Sequence, residues 1–267
     1  MKDNFRDAIA GMRSIETMAN EDRWMNQIHP LVKLFLTIFY IAAAVSFDKY
    51  DLTGLAAMVL YLIFVYIMGE LSFREAVYRL RIILPIVCAV GIFNPFFDRT
   101  VITTLGTLNV TGGVISMLTL MMKGIFSVLA SYALIATTTI EKLCYAMRLL
   151  HIPKMFVTMV LLIYRYISLL LSEANRMVQA YALRAPGQKG INIRVWGPLV
   201  GQLLLRSMDR AQNVYDSMCL RGYTGEFYYG DESKARGSDY LYLLLWALLI
   251  VLFRTVPVFQ VIGNLFV

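Results

Sequence analysis

The stretch GVISMLTLMMKGIFSVLASYALIATT, residues 113–138, carries a single charge, Lys123. Read as a helix rising 1.5 Å per residue, it is long enough to cross the roughly 30 Å hydrocarbon core of a bilayer. Four further apolar runs, 31–47, 52–68, 82–97 and 240–257, read the same way. Hydrophobic residues make up 58% of the chain and charged residues only 16%, where soluble domains carry roughly 25%. A soluble chain of 267 residues could not bury five such helices. The expected class is therefore an all-α integral membrane protein with about five transmembrane helices.

The distribution of basic residues orients these spans. Lys and Arg number four in residues 1–30, three in the 69–81 connection and thirteen in 139–238, whereas the 48–51 and 98–112 connections hold only Lys49 and Arg99. The positive-inside rule then places the N-terminus, 69–81 and 139–238 in the cytoplasm and the C-terminus outside. This accounts for the net charge of +7 through topology, with the lipid bilayer as partner and no nucleic acid. Residues 1–23 are charged throughout and lack the apolar core of a signal peptide. Cys88, Cys144 and Cys219 are widely spaced and suggest neither a disulfide framework nor a CxxC metal site. The chain divides into 1–138, an N-terminal segment with spans one to four; 139–238, a cytoplasmic insertion; and 239–267, the last span and C-terminus.

The insertion is the informative part. FVTMVLLIYRYISLLLSEANRMVQAYALR (156–184) contains no Gly or Pro. Its polar residues Arg165, Ser168, Ser172, Asn175, Arg176 and Gln179 recur at steps of three and four, so they share one face of a long helix. This reads as an in-plane or membrane-surface helix, buried on its other sides. The alternative, a sixth span over its apolar start, would carry the basic residues of 184–236 to the outer side. A second helix is expected at 195–221, with Val200, Leu204, Met208, Ala211, Tyr215 and Met218 as its apolar stripe and Gly222 as its stop. A shorter one, 140–150, is capped by Thr138 or Thr139 and ended by His151-Ile152-Pro153. Both longer helices end in an arginine followed by a chain break: Leu183-Arg184-Ala185 before Pro186-Gly187, and Leu220-Arg221-Gly222. One such arginine is adequately explained by the helix dipole. A pair suits entry of a planar, bidentate head group into a carboxylate-lined groove.

These two X-Arg-X tips, with HIPKMFVTMVLLIYRYISLLLSEANRM, GPLVGQLLLRSMDRAQNVYDSMCLRGYTGE and the HPLVKLF entry to the first span, resemble the transmembrane T component of energy-coupling factor (ECF) transporters, and within that family the cobalt-type subunit CbiQ. The leading Ala common in the family motif is Leu at both tips here, and the first motif ends in Ala-Pro. The resemblance implies a non-catalytic scaffold in the prokaryotic cytoplasmic membrane, serving uptake linked to cobalamin biosynthesis. It implies two ATP-binding-cassette ATPase subunits that hold ATP and Mg and receive the tips at Leu183, Arg184, Ala185, Leu220, Arg221 and Gly222. It also implies a separate substrate-binding membrane subunit carrying Co²⁺ or Ni²⁺.

The residues agree with a motor and a metal site lying elsewhere. No Gly-Lys dipeptide occurs, so there is no phosphate-binding Walker A loop. The two histidines, His29 and His151, stand apart, and a Co²⁺ site wants clustered N or S donors; no catalytic or metal-ligating residue of this chain is expected. A lipid-modifying membrane enzyme would need a clustered acid, base or nucleophile, but Glu141, Glu173, Asp209, Asp216, Glu226, Asp231 and Glu232 are dispersed. A stand-alone secondary transporter would show paired repeats, and spans divided four and one show none. Lys123, inside a span, is expected either to touch a substrate subunit or to bond backbone carbonyls. Asn94-Pro95 reads as a break.

Overall fold

A computed structural model describes residues 10–12, 14, 16–92, 101–105, 108–188, 190–225 and 236–255. The chain forms two compact units, 1–18 with 140–232, and 19–139 with 233–267.

The second unit holds the apolar helices. In chain order these are α1 (Trp24–Gln27), α2 (Pro30–Val45), α3 (Leu52–Ala57), α4 (Val59–Met68), α5 (Phe73–Ile92), then strands β1 (Val101–Leu105) and β2 (Leu108–Thr111), and α6 (Gly112–Thr137). The unit is completed by Gly237–Thr255, the last described helix. Apart from the two-stranded hairpin β1–β2, in which Leu105 pairs with Leu108, the described fold is all-α. The predicted connection 98–112 thus contains a hairpin.

The predicted spans 31–47, 113–138 and 240–257 correspond to helices Pro30–Val45, Gly112–Thr137 and Gly237–Thr255. The 52–68 run is interrupted at Met58. The carbonyl of Met58, the N-cap of the second segment, accepts the hydroxyl of buried Tyr40 at 3.1 Å, which pins the junction inside the bundle. The 82–97 run differs more. Helix α5 begins at Phe73, so Arg74, Arg79 and Arg81 lie on helical turns and not in a loop. Residues 93–97, including Asn94-Pro95, lie outside the described residues, as do 256–257.

Packing follows the helical period. Val32, Leu36, Tyr40 and Ala44, four residues apart on α2, are all buried. Tyr61 and Phe64 of α4 meet Trp246 at ring-centroid distances of 5.1 and 4.9 Å. Two lysines fix the pairing of α2 with α6. Lys33, near the start of α2, donates to the carbonyl of Thr137 at the end of α6, 2.7 Å away. Lys123 of α6 donates to Val45 O at 3.0 Å and to Phe47 O, at the end of α2. Start therefore meets end, and the helices run antiparallel. Of the two expectations for Lys123, the structure has the bond to backbone carbonyls. Arg254 joins the same end of α2, donating to Ser46 O at 2.9 Å with its guanidinium 4.8 Å from the Phe47 ring centroid.

The first unit comprises α7 (Ile140–Leu149), α8 (Lys154–Arg184) and α9 (Ile193–Leu220); the remaining helix, Gly237–Thr255, is α10. Among the described residues, α6, α8 and α10 are long and apolar enough to cross a membrane, while Pro30–Val45 and Leu52–Met68 are shorter apolar helices. The span-like length and hydropathy of α8 match the alternative weighed for 156–184. Its expected burial does not occur within the chain: only 6% of its most apolar window is covered.

Two glycines separate tight from open backbone. A Cβ on Gly54 would lie 2.7 Å from Phe47 Cε1 and 2.8 Å from Asp51 Oδ2, whereas one on Gly201 of α9 meets nothing within 4 Å. Gly54→Ala is expected to destabilise the purified subunit by about 1–3 kcal/mol through overpacking. Gly201→Ala is expected to stabilise it by about 0.5–1 kcal/mol through helix propensity. Opposite shifts of the thermal unfolding midpoint in detergent are the check.

Candidate functional site: the two arginine tips

Helix α7 stops where the sequence indicates. Ile152 N–H bonds Met147 O at 3.3 Å and His151 N–H bonds Arg148 O at 3.0 Å, around His151 at φ +60°. This is a Schellman motif with a histidine in the left-handed position. Pro153 then flanks the start of α8. Helix α9 starts at Ile193, two residues before the predicted 195, because the Asn192 side chain caps it by accepting from Arg194 N at 3.1 Å. Asn192 was the available signal.

The two tips are built differently. At the end of α8, Arg184 is the last helical residue, and Ala185 N–H still bonds Tyr181 O at 3.0 Å. Ala185-Pro186-Gly187-Gln188 then turns, closed by Gln188 N–H to Ala185 O at 3.4 Å, with Gly187 at φ +97°. Pro followed by a positive-φ Gly is the signature of a type II turn. The Tyr181 hydroxyl bonds Gln188 Oε1 at 2.6 Å across it. At the end of α9, Arg221 is the C-cap and Gly222 has φ +83°. Tyr223 N–H bonds Met218 O, and Gly222 N–H bonds Cys219 O, each at 3.0 Å. This is again a Schellman motif, here with the glycine the geometry favours.

Both tips are bare. Leu183 is 84% and Leu220 90% exposed, and Arg184, Arg221 and Gly222 are exposed while Ala185 is half-buried. Among the described residues neither arginine forms an ion pair. The predicted apolar stripe of α9 is uncovered as well, with Val200, Leu204, Met208 and Tyr215 each more than half exposed. An apolar stripe is usually buried, and among the described residues nothing covers it. Between α8 and α9 lies a groove of about 1050 Å³ that the sequence did not reveal. Its one ion-pair contact across the helices is Arg206 with Glu173, which also meets Arg176 at 3.8 Å. The groove includes Arg221 and Gly222 but neither Arg184 nor Leu183, so the two tips are not brought together there.

His29 is buried and its Nδ1 accepts from Leu31 N at 3.3 Å, capping α2. Among the described residues no three His, Cys, Asp or Glu side chains gather as metal ligands.

The family model described as "CbiQ: Cobalt transport protein" matches residues 21–229. An uncharacterized protein of Methanocaldococcus jannaschii, MJ1571, is 25% identical over 244 residues, covering 86% of this chain and 82% of its own length. The energy-coupling factor transporter transmembrane protein EcfT of Listeria innocua is 24% identical over 217 residues, covering 76% and 81% respectively.

The two described free thiols differ in a way that reports on the tips. Cys219 is exposed beside the second tip, whereas Cys144 on α7 is buried. Burial, with a smaller contribution from the Glu141 charge, pushes the Cys144 thiol above its usual range. Since the thiolate is the nucleophile, maleimide should modify Cys219 at least about tenfold faster than Cys144 in a Cys88→Ser subunit. Peptide mapping of the labelled protein checks this. Equal rates would show that Cys144 is reachable.

Proposed function

The chain belongs to the CbiQ cobalt transport protein family and is a multi-pass transmembrane component of an ECF transporter, and from that premise we propose that it couples ATP hydrolysis in other subunits to import of Co²⁺ or Ni²⁺. The observation that carries this reading is the pair of bare Leu-Arg helix ends. An exposed leucine gains by burial, and an unpaired guanidinium offers a fork of donors to a carboxylate. A partner surface that covers the leucine and presents a carboxylate satisfies both at once.

In this reading the chain has no catalytic residue. Two ATP-binding-cassette subunits hold ATP and Mg, and each takes one tip: Leu183-Arg184-Ala185 or Leu220-Arg221-Gly222. The substrate-binding membrane subunit carries the ion and docks on apolar surface such as the open stripe of α9, whose burial supplies affinity without a charge requirement. The metal is cargo. The scattered His and Cys residues support this, since a first-row divalent ion needs several converging donors.

Truncating one member of a hydrogen-bonded interfacial charge pair typically costs about 2–5 kcal/mol. Arg184→Ala or Arg221→Ala should therefore weaken ATPase co-purification, and the double variant should abolish ATP-dependent metal uptake by the reconstituted complex. Arg→Lys should restore only part, because an ammonium lacks the planar fork. Full assembly and uptake by the double alanine variant would reduce both arginines to helix-dipole caps.

A second measurement addresses the cargo. The purified, tag-free subunit should bind Co²⁺ or Ni²⁺ no better than a His-poor membrane protein. Submicromolar binding by calorimetry would move the ion site into this chain.

A further inference from the structure

The groove between α8 and α9 meets the second tip at Arg221 and Gly222, but the rest of its lining has no part in the tip reading. Its α8 wall carries Leu162, Arg165, Leu169 and Glu173, and its α9 wall Leu203, Arg206, Arg210 and Val214. Each set recurs at steps of three and four and so forms one helical stripe. Facing stripes ordinarily interdigitate at an interaxial distance of about 8–10 Å. Here about 1050 Å³ stays open instead, at the upper end of the volumes that take organic ligands. Its apolar floor is half-buried and its arginines are exposed. Glu173 is engaged by Arg206 and Arg176. Among the described residues Arg165 and Arg210 have no ionic partner. Counting the lining, Arg165, Arg206, Arg210 and Arg221 face only Glu173 and Asp209, an excess of positive charge. The complementary occupant has an anionic head and an apolar body.

We propose that this groove binds an anionic phospholipid, its phosphodiester held by Arg165 and Arg210 and its acyl chains lying along Leu162, Leu169, Leu203 and Val214. Guanidinium groups take phosphate oxygens bidentately, and basic pockets on the cytoplasmic side of membrane proteins are recurrent sites for such head groups. The surroundings favour a lipid over a protein segment. Met159 and Met155, three and seven residues before Leu162 on the same stripe of α8, are 47% and 69% exposed, and most of the apolar length of α8 is uncovered. The wall of the groove thus continues onto apolar surface that a bilayer would wet. A peptide laid on the leucine floor would have to satisfy its own backbone polar groups there, at a cost a lipid tail does not incur. This inference is independent of the roles assigned to Arg184 and Arg221 as coupling tips.

The test uses the intact subunit in mild detergent, with lipid retention read by native mass spectrometry after exchange against phosphatidylglycerol or phosphatidylcholine. Wild type should retain phosphatidylglycerol preferentially, and Arg165→Gln/Arg210→Gln should lower that preference by about tenfold, the scale of hydrogen bonds to charged groups. Arg194→Gln, outside the groove, should leave it intact. Leu203→Gln should release both lipids without altering charge, and it carries the test should the double variant misfold. An undiminished preference in a folded double variant overturns the proposal. So does displacement of the lipid by inorganic phosphate, which would mark an anion site without an acyl floor. Displacement by poly-glutamate that needs the same arginines would assign the groove to an acidic protein segment instead.

Discussion

Helices α2 and α6 each lend a lysine to the other's C-terminal end. A helix leaves its last carbonyls unpaired, and in hydrocarbon no water is present to take them. Lys33 supplies Thr137, and Lys123 supplies Val45 and Phe47. The same contacts solve the opposite problem, because a lysine at membrane depth needs acceptors and a negative dipole end is where they are found. Each charge thus makes the other helix end tolerable, and the exchange fixes direction and register together. A slip of one turn, about 5.4 Å, would strand both lysines and both sets of carbonyls. Arg254 extends the arrangement to α10 by taking Ser46 O and lying over Phe47. The buried column Val32, Leu36, Tyr40 and Ala44 then packs in a frame whose register is already set.

That frame explains which parts of the fold could be read from sequence. Hydrophobic run length is a property of the chain alone, so the helices at Pro30–Val45, Gly112–Thr137 and Gly237–Thr255 were legible to within three residues. The acceptors of Lys123 were legible only as a kind: which carbonyls they are depends on the antiparallel pairing, a long-range fact. The interruption at Met58 was hidden for a similar reason. LTGLAAMVLYLIFVYIM reads as one uninterrupted apolar run, and the group that bonds the junction, the Tyr40 hydroxyl, comes from another helix. Helix α5 was misjudged at its start because charge was taken to mean loop. Arg74, Arg79 and Arg81 sit instead on its first turns, where local helix propensity prevails.

The arginine tips were legible because their signals are local: Pro186-Gly187 after one helix, Gly222 after the other, and an arginine in place before each. The groove was not, since its walls come from α8 and α9 and exist only once those helices cross at Glu173 and Arg206. Periodicity gave α9 an apolar stripe but not its surroundings. Val200, Leu204, Met208 and Tyr215 do not line the groove, whereas Leu203, Arg206, Arg210 and Val214 do. A monomeric soluble protein rarely leaves so much contiguous apolar surface bare, so the pattern belongs to a chain completed by bilayer and partners.

The two tips share an arginine and a leucine but not a mechanism of termination. In the first, proline fixes one dihedral and removes a donor, and the Tyr181–Gln188 bond closes the loop from outside. Its shape is held by covalent constraint and a side-chain brace. In the second, the shape rests on two backbone bonds and on Gly222, whose positive φ costs any other residue about 1–2 kcal/mol. The first tip therefore tolerates change at Gln188 only to the extent that Pro186 and Gly187 hold the turn unaided, while the second depends on a single missing Cβ. Two ends that present the same chemistry are thus held by different backbones, one braced by covalent constraint and one by the freedom of a glycine.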